Sequence, residues 1–381
     1  MYEFRTSNST VPRLPLAAAV ALFLIVWPLS SARAEEETSD QSRLAIHGYG
    51  EVHYNNPEIG SMDDHAPARA DVHRFGLGWT YEFTPSIRMD AEVDYEHAAA
   101  ELELEYAELD FDLTTTLTAR VGSLLMPVGP LNEFHEPPSY YSVERPYVQQ
   151  YVIPTTWQEN GFGVVGRTPN GALGYRGYLV TGLDATGFSA LDGIREGRTA
   201  SSEALAEDLA GVARLEYATT SGFSLAASGY YGGADQGQAG LGNVTVGIAE
   251  ADARFRRAGF DFRAMFARVF VDAPDSLSIT TGVGKTIQGW HAEVAYDLLR
   301  RDLSSERRRS LVLFARYEDF DTNEEMPAGI SADPAADRTV RCAGIDYMPI
   351  EKIALKADYE HWEDGTDDTV DRFSLGAAFE F

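Results

Sequence analysis

Two scarcities and one absence bound this chain of 381 residues before any motif is read. It has a single cysteine, Cys342, so no intrachain disulfide can staple it. Basic residues are few: 31 Lys and Arg stand against 59 Asp and Glu, and only Lys285, Lys352 and Lys356 are lysines. The formal net charge of −28 excludes nucleic acid as a partner, because neutralising phosphates requires a basic face. After Glu35 there is no run of 18 apolar residues, which excludes a bundle of membrane helices. A soluble β-protein and a β-barrel in an outer membrane both survive these exclusions.

The amino terminus narrows the compartment. Arg5 and Arg13 precede the apolar run "LPLAAAVALFLIVWPL" (14–29), and "SARA" then sets Ala32 and Ala34 in A-x-A spacing before Glu35. That pattern predicts a cleaved secretory signal peptide over 1–34, leaving 35–381 as the exported domain. Pro15 and Pro28, together with a length short of the roughly 20 residues needed to span a bilayer, argue against a retained membrane helix. Cleavage would remove three arginines and one glutamate and leave the mature chain more acidic still. The residue immediately after the cleavage point is Glu35 and not a cysteine, so a lipid anchor is not expected.

What fills the rest is alternation. In "TVDRFSLGAAFEF", Phe373, Leu375, Ala377, Phe379 and Phe381 share one face, while Arg372, Ser374, Gly376 and Glu380 share the other; a period of two is the signature of a strand. A terminal strand ending on an aromatic resembles the assembly signal of outer-membrane barrels. "EKIALKADYEHW" and "GWHAEVAYDLL" repeat the pattern, apolar on one face and ionisable on the other. Candidate strands begin near Arg43, Ala70, Ser86, Glu101, Thr116, Gly161, Ala172, Leu209, Gly222, Asn243, Ala258, Gly284, Arg309, Arg338, Glu351 and Thr369. Sixteen is an even number, as single-chain bacterial barrels require.

The connections sort into two kinds. Those after even-numbered strands are mostly short with turn chemistry, such as "FTPS", "LTTT", "TTSG" and "RRAG", and those after odd-numbered strands are mostly long; short turns at one rim and long loops at the other mark a membrane barrel. "HAAA" and "RRDLSSERRR" break the rule. Trp79, Tyr81, Phe83, Phe111, Phe223, Phe260, Tyr347 and Phe381 should then form one interfacial girdle. "ELELEYAELDFDL" changes phase around Tyr106, which predicts a bulge or a departure from the membrane. The expected fold is all-β: a transmembrane antiparallel barrel of 16 strands.

One stretch refuses the alternation. "PVGPLNEFHEPPSYYSVERPYVQQYVIPTTW", 127–157, carries six prolines, whose fixed φ and missing N–H forbid a helix or an inner strand. A structureless connection of this length inside a compact domain is usually functional. The run "VGSLLMPVGPLNEFHEPPSYYSVERPYVQQYVIPTTWQENGFGVVG" resembles the corresponding part of the phosphate-selective porin O/P family and related porins. The resemblance implies an often trimeric barrel, here a homotrimer, whose third external loop, 126–159, folds inward and narrows the pore. It implies that Asn132, Glu133, His135, Glu136, Glu144 and Arg145 line the constriction, since polar rings at a narrow point are how pores choose solutes. Bracing of the wall by the same residues is the competing role.

This chain departs from the phosphate-selective pattern. An anion well needs a net positive local field, and acids far outnumber bases here. Arg254, Arg256, Arg263, Arg268, Arg316 and Arg372 are the residues expected to form a local basic strip in the lumen. The expectation is a passive channel in outer-membrane lipid for small hydrophilic solutes or ions, without cofactor or metal, and a phosphate- or anion-selective porin is the alternative within that class. "GVGKT" (282–286) lacks the leading glycine of a phosphate loop and precedes a strand. His135 and Glu136 lack the second histidine of a zinc-binding H-E-x-x-H, and no G-x-S-x-G elbow occurs. A barrel hydrolase and a plugged structural barrel are the alternatives of another class.

Overall fold

The computed structural model describes residues 43–60, 62–299 and 309–381. The expected signal peptide lies outside them, as does most of the "RRDLSSERRR" connection. Sixteen strands follow one another: β1 Leu44–Asn56, β2 Arg69–Thr84, β3 Ile87–Glu96, β4 Glu101–Thr114, β5 Leu117–Leu125, β6 Gln158–Arg167, β7 Leu173–Thr181 and β8 Leu209–Ala218. The second half is β9 Phe223–Gly233, β10 Thr245–Arg257, β11 Phe260–Asp272, β12 Thr286–Asp297, β13 Ser310–Glu325, β14 Asp337–Ile350, β15 Ile353–Asp364 and β16 Thr369–Glu380. Every neighbouring pair is antiparallel, and β16 returns to β1 with Tyr49 opposite Glu380 and Asn56 opposite Phe373. Closure is what lipid demands of a sheet, because an open edge would leave amides with no partner.

Alternation decides which side chain goes where. On β16, Phe373, Leu375 and Phe379 point outward and are about 40% exposed, whereas Val370, Arg372 and Ser374 are buried inside. On β11, Phe260, Phe262, Phe266 and Phe270 face out, while Asp261, Met265, Ala267 and Val269 face in. The inner face therefore carries most of the acids and arginines, and the outer face is mainly hydrocarbon. Every strand starts within three residues of its expected position. The largest difference is β6, which begins at Gln158 because its ladder to β5 already pairs Leu125 with Gln158.

The expected bulge is present. Glu92 pairs with Tyr106 and Val93 with Leu104, so Glu105 is an extra residue on β4. Bulges let a strand change phase without leaving the sheet, and Glu105 and Glu108 both end up buried in the lumen. The short connections 85–86, 115–116 and 258–259 gather at one rim, where Gly259 takes the left-handed φ of 89° that a two-residue turn needs. Trp79, Tyr81, Phe83, Phe260 and Tyr347 lie at strand ends on this rim. The long loops lie at the other: the described residues between β1 and β2, and 126–157, 182–208, 234–244, 273–285 and 326–336.

Candidate functional site: the loops inside the barrel

The third loop, 126–157, enters the lumen and touches most of its circumference. Asn132 ties its two ends together: the Nδ2 donates to the carbonyls of Met126 (2.7 Å) and Trp157 (2.8 Å), and the Oδ1 accepts from Trp157 N (2.9 Å). Further along, backbone N–H groups freed by the irregular chain find wall carboxylates. Val143 N donates to Asp358 on β15 (2.6 Å) and Val148 N to Glu318 on β13 (2.9 Å). Lys356 on β15 serves the carbonyls, its Nζ donating to Pro137, Tyr140 and Ser142 at 2.6, 2.8 and 2.9 Å. Tyr141 and Tyr147 reach Asp261 on β11 and Glu360 on β15 at 2.8 and 2.9 Å. A backbone removed from water must have its polar groups satisfied, and here the inner wall supplies the partners.

Apolar packing completes the seat. Val148, Val152, Ile153 and Trp157 are fully buried in one cluster with Val246, Val269, Ile287, Phe320, Val340 and Trp362 of the wall. The fourth loop, 182–208, lies on the third. Arg195 donates to the carbonyls of Gln150 (3.0 Å) and Thr155, and Arg198 to that of Thr156. The fourth loop also meets the far wall: Thr322 on β13 donates to Ala190 O (2.6 Å) and Arg338 on β14 to Leu191 O. Burial depresses the guanidinium of Arg198, partly offset by Glu196.

The six residues expected at the constriction occupy different settings. Asn132 is the clamp just described and is fully buried. Glu133 pairs with Arg176 on β7 at 2.9 Å; burial raises its carboxyl and Arg176 partly offsets this. His135 is buried between Asn132 O (3.0 Å), Glu105 (3.3 Å) and Tyr49 (3.4 Å), and burial pushes its imidazole down to about 3. Glu136 is half-buried, with its carboxyl raised by burial. Glu144 accepts from Asn55 on β1 (3.2 Å) and pairs with His53 there (2.9 Å). Arg145 is half-buried, and one guanidinium nitrogen has no hydrogen-bond partner.

The arginines separate likewise. Arg254 and Arg263 converge on Asp261, at 2.5 and 3.1 Å, and Arg263 also holds Ser139 O of the third loop (3.0 Å). Arg256 follows Arg254 on the same face of β10. Arg316 is buried against Glu318 (2.7 Å), and Arg372 against Glu360 (3.4 Å) and the carbonyls of Pro57 and Glu58. Arg268 is the correction. It lies five residues from Arg263 on β11, an odd spacing that turns it to the outer face, where it stacks on Phe270 and pairs with Glu325 at 2.9 Å.

Between the third loop and strands β8–β12 lies a cavity of about 230 Å³. Its charged lining is Glu133, Glu216, Asp252 and Glu293 against Arg214, Arg254 and Arg263. Each of these arginines already holds a carboxylate: Arg214 has Glu250 and Asp252 (3.2 and 2.6 Å), and Arg263 has Asp261 and Glu293 (3.1 and 3.6 Å). Lys356, Arg214, Arg195 and Arg198 were not among the expected site residues. For the first two the signal existed, since both fall on the ionisable face once strand phase is assigned. For Arg195 and Arg198, in an irregular loop, no periodicity pointed the way.

No known family profile matches this chain. A protein of Aquifex aeolicus (strain VF5), described only as uncharacterized, is 32% identical over 358 residues, covering 87% of this chain and 79% of that protein. Among solved structures, OmpF of Salmonella typhi in complex with daunomycin superposes with a TM-score of 0.58 at 12% identity, covering 91% of this chain and all of that one. An anion-selective porin from Comamonas acidovorans gives 0.55 at 10% identity, covering 89% and 99%. At such identities the likeness speaks for the fold: a sixteen-stranded barrel of the porin type.

Proposed function

The chain belongs to the family of the uncharacterized Aquifex aeolicus protein, and for it we propose an outer-membrane porin: a passive diffusion channel for small hydrophilic solutes or ions. The observation that carries this reading is the third loop seated inside a closed sixteen-stranded barrel, beside a cavity whose charges are mixed. A narrowed, hydrated lumen with both signs of charge selects by size and modestly by charge. The porin performs no chemical step and needs no cofactor. The proposed seat is the bacterial outer membrane, reached through a signal peptide over 1–34, with three copies associating through their outer faces.

Phosphate specificity is not part of the proposal. The arginines that line the cavity are neutralised by carboxylates within about 3.6 Å or less, and an anion well needs positive charge in excess. The proposed pore is unselective or weakly cation-preferring. The likeness to the phosphate-selective porin O/P family, carried by the third loop, is proposed as kinship of architecture rather than of solute.

Planar-bilayer conductance with salt gradients tests the reading. The intact protein should form channels, and excision of Pro130 to Tyr151 should raise their conductance. Absence of channels in the intact protein rejects the porin; unchanged conductance after excision rejects the loop as the constriction. One observation favours a second reading, a barrel closed by its own loops: the fourth loop crosses over the third and bonds to β13 and β14. Silent intact protein that conducts once 185–198 is deleted would establish that reading instead.

A further inference from the structure

Three histidines line up at the long-loop end of β1 to β3, and they do not do the same thing. His53 on β1 has both ring nitrogens on carboxylates, Nδ1 on Glu144 and Nε2 on Glu51, each at 2.9 Å, and it is buried. It stacks flat beneath His73 of β2, with centroids 4.5 Å apart and planes at 14°. Parallel stacked rings cannot aim their nitrogens at one point, so His53 is spent as an ion-pair partner that anchors the third loop.

The geometry points to a divalent transition-metal site in the outer set: Asp71 and His73 of β2 with His97 of the β3–β4 turn. His97 Nδ1 and His73 Nδ1 lie 2.5 and 3.7 Å from the same atom, Asp71 Oδ2. One donor atom from each of the three falls within 4.8 Å of the others. The two imidazoles meet edge to face, centroids 5.4 Å apart and planes at 82°, an orientation that allows both rings to direct a nitrogen toward a common centre. Bonds of about 2.0–2.2 Å to nitrogen and oxygen place tetrahedral ligand atoms about 3.3 Å apart. His97 would have to withdraw from Asp71 by under about 1 Å, and it is about half exposed on a turn at the strand tips.

The donor set defines the ion. Two imidazoles and one carboxylate suit Zn²⁺, Ni²⁺ or Cu²⁺ far better than Mg²⁺ or Ca²⁺, which take oxygen. With three protein ligands, the remaining position is left to water or to a ligand atom of a solute. The arrangement also differs from a chance surface pair. His361 and Asp371 stand 2.7 Å apart on the outer face of β15 and β16, a histidine–aspartate pair that supplies the internal comparison. Occupation would tie the β3–β4 turn to β2 and add two positive charges at the lumen mouth, beside the third-loop anchor. Binding requires no solute passage, so it stands or falls separately from the porin reading.

The test is a zinc titration of the untagged, refolded full barrel in detergent, by calorimetry and equilibrium dialysis with zinc chloride. One equivalent should bind to the wild type and to His361→Ala, and affinity should fall about 10–100-fold or more in His97→Ala and Asp71→Asn, since even outer-shell changes cost that much. X-ray absorption of the zinc complex should show two imidazoles. His97→Ala and Asp71→Asn alter a turn and a rim residue, and heat-modifiable migration identifies folded barrels, so loss of binding is readable apart from loss of fold. No stoichiometric binding, binding unaffected by either variant, or equal loss in His361→Ala would overturn the site.

Discussion

Lys356 is one of three lysines in the chain, and its ammonium is surrounded by three carbonyls of the third loop. Lys356→Met should leave those carbonyls unpaired and weaken loop docking by roughly 2–5 kcal/mol, seen as protease cleavage within 127–157 while the β circular dichroism of the barrel persists. Glu144 gives a pH prediction. Burial pushes its carboxyl up, but the imidazole of His53 more than offsets this and holds it at about 2. A depressed carboxyl stabilises fully above the ordinary carboxylate range and ceases to do so as pH falls toward 2. The step is on the order of 3 kcal/mol. The thermal midpoint of the wild type should drop between about pH 4.5 and 2, and Glu144→Gln should be less stable at pH 7 with that acid step flattened.

At the scale of elements, the lumen is organised by two loops rather than one. The third loop was legible because six prolines interrupt an alternating sequence, and its polar candidates were what the resemblance of that run to porins implied. Its partners were not legible, because Glu318, Asp358 and Glu360 lie some 170 to 220 positions away along the chain. The fourth loop showed only its length, yet Arg195 and Arg198 hold the carbonyls at 150 and 154–156. The double substitution Arg195→Ala, Arg198→Ala should free these contacts at about 1–3 kcal/mol each. Single-channel recordings should then show more frequent current fluctuations than the wild type; quiet, unchanged traces would mean the fourth loop does not hold the third.

For the whole molecule, closure is the decisive event. Phe381 exchanges backbone hydrogen bonds with Gly48, at 2.9 and 3.3 Å, and so completes the β1–β16 seam. Deleting Phe381 should lower the amount of heat-modifiable barrel recovered from membranes several-fold, with correspondingly less folded protein on cold gels. The barrel was legible almost throughout because a membrane-type sheet has little choice: outer positions are mostly apolar, inner ones carry most of the charge, and the period of two repeats sixteen times. Arg268 shows where that reading needed phase as well as composition, since an arginine among lumen arginines in sequence turned outward by an odd count.

By itself the sequence determined the strand count, the order, the two-sided connections and the presence of one anomalous loop, because these follow from local periodicity and from proline. Tertiary structure alone decided which carboxylate meets which loop amide, which arginines are neutralised, and which of three histidines stand together. Those pairings join residues far apart along the chain, and only the curvature and stagger of a closed barrel bring them within hydrogen-bonding distance.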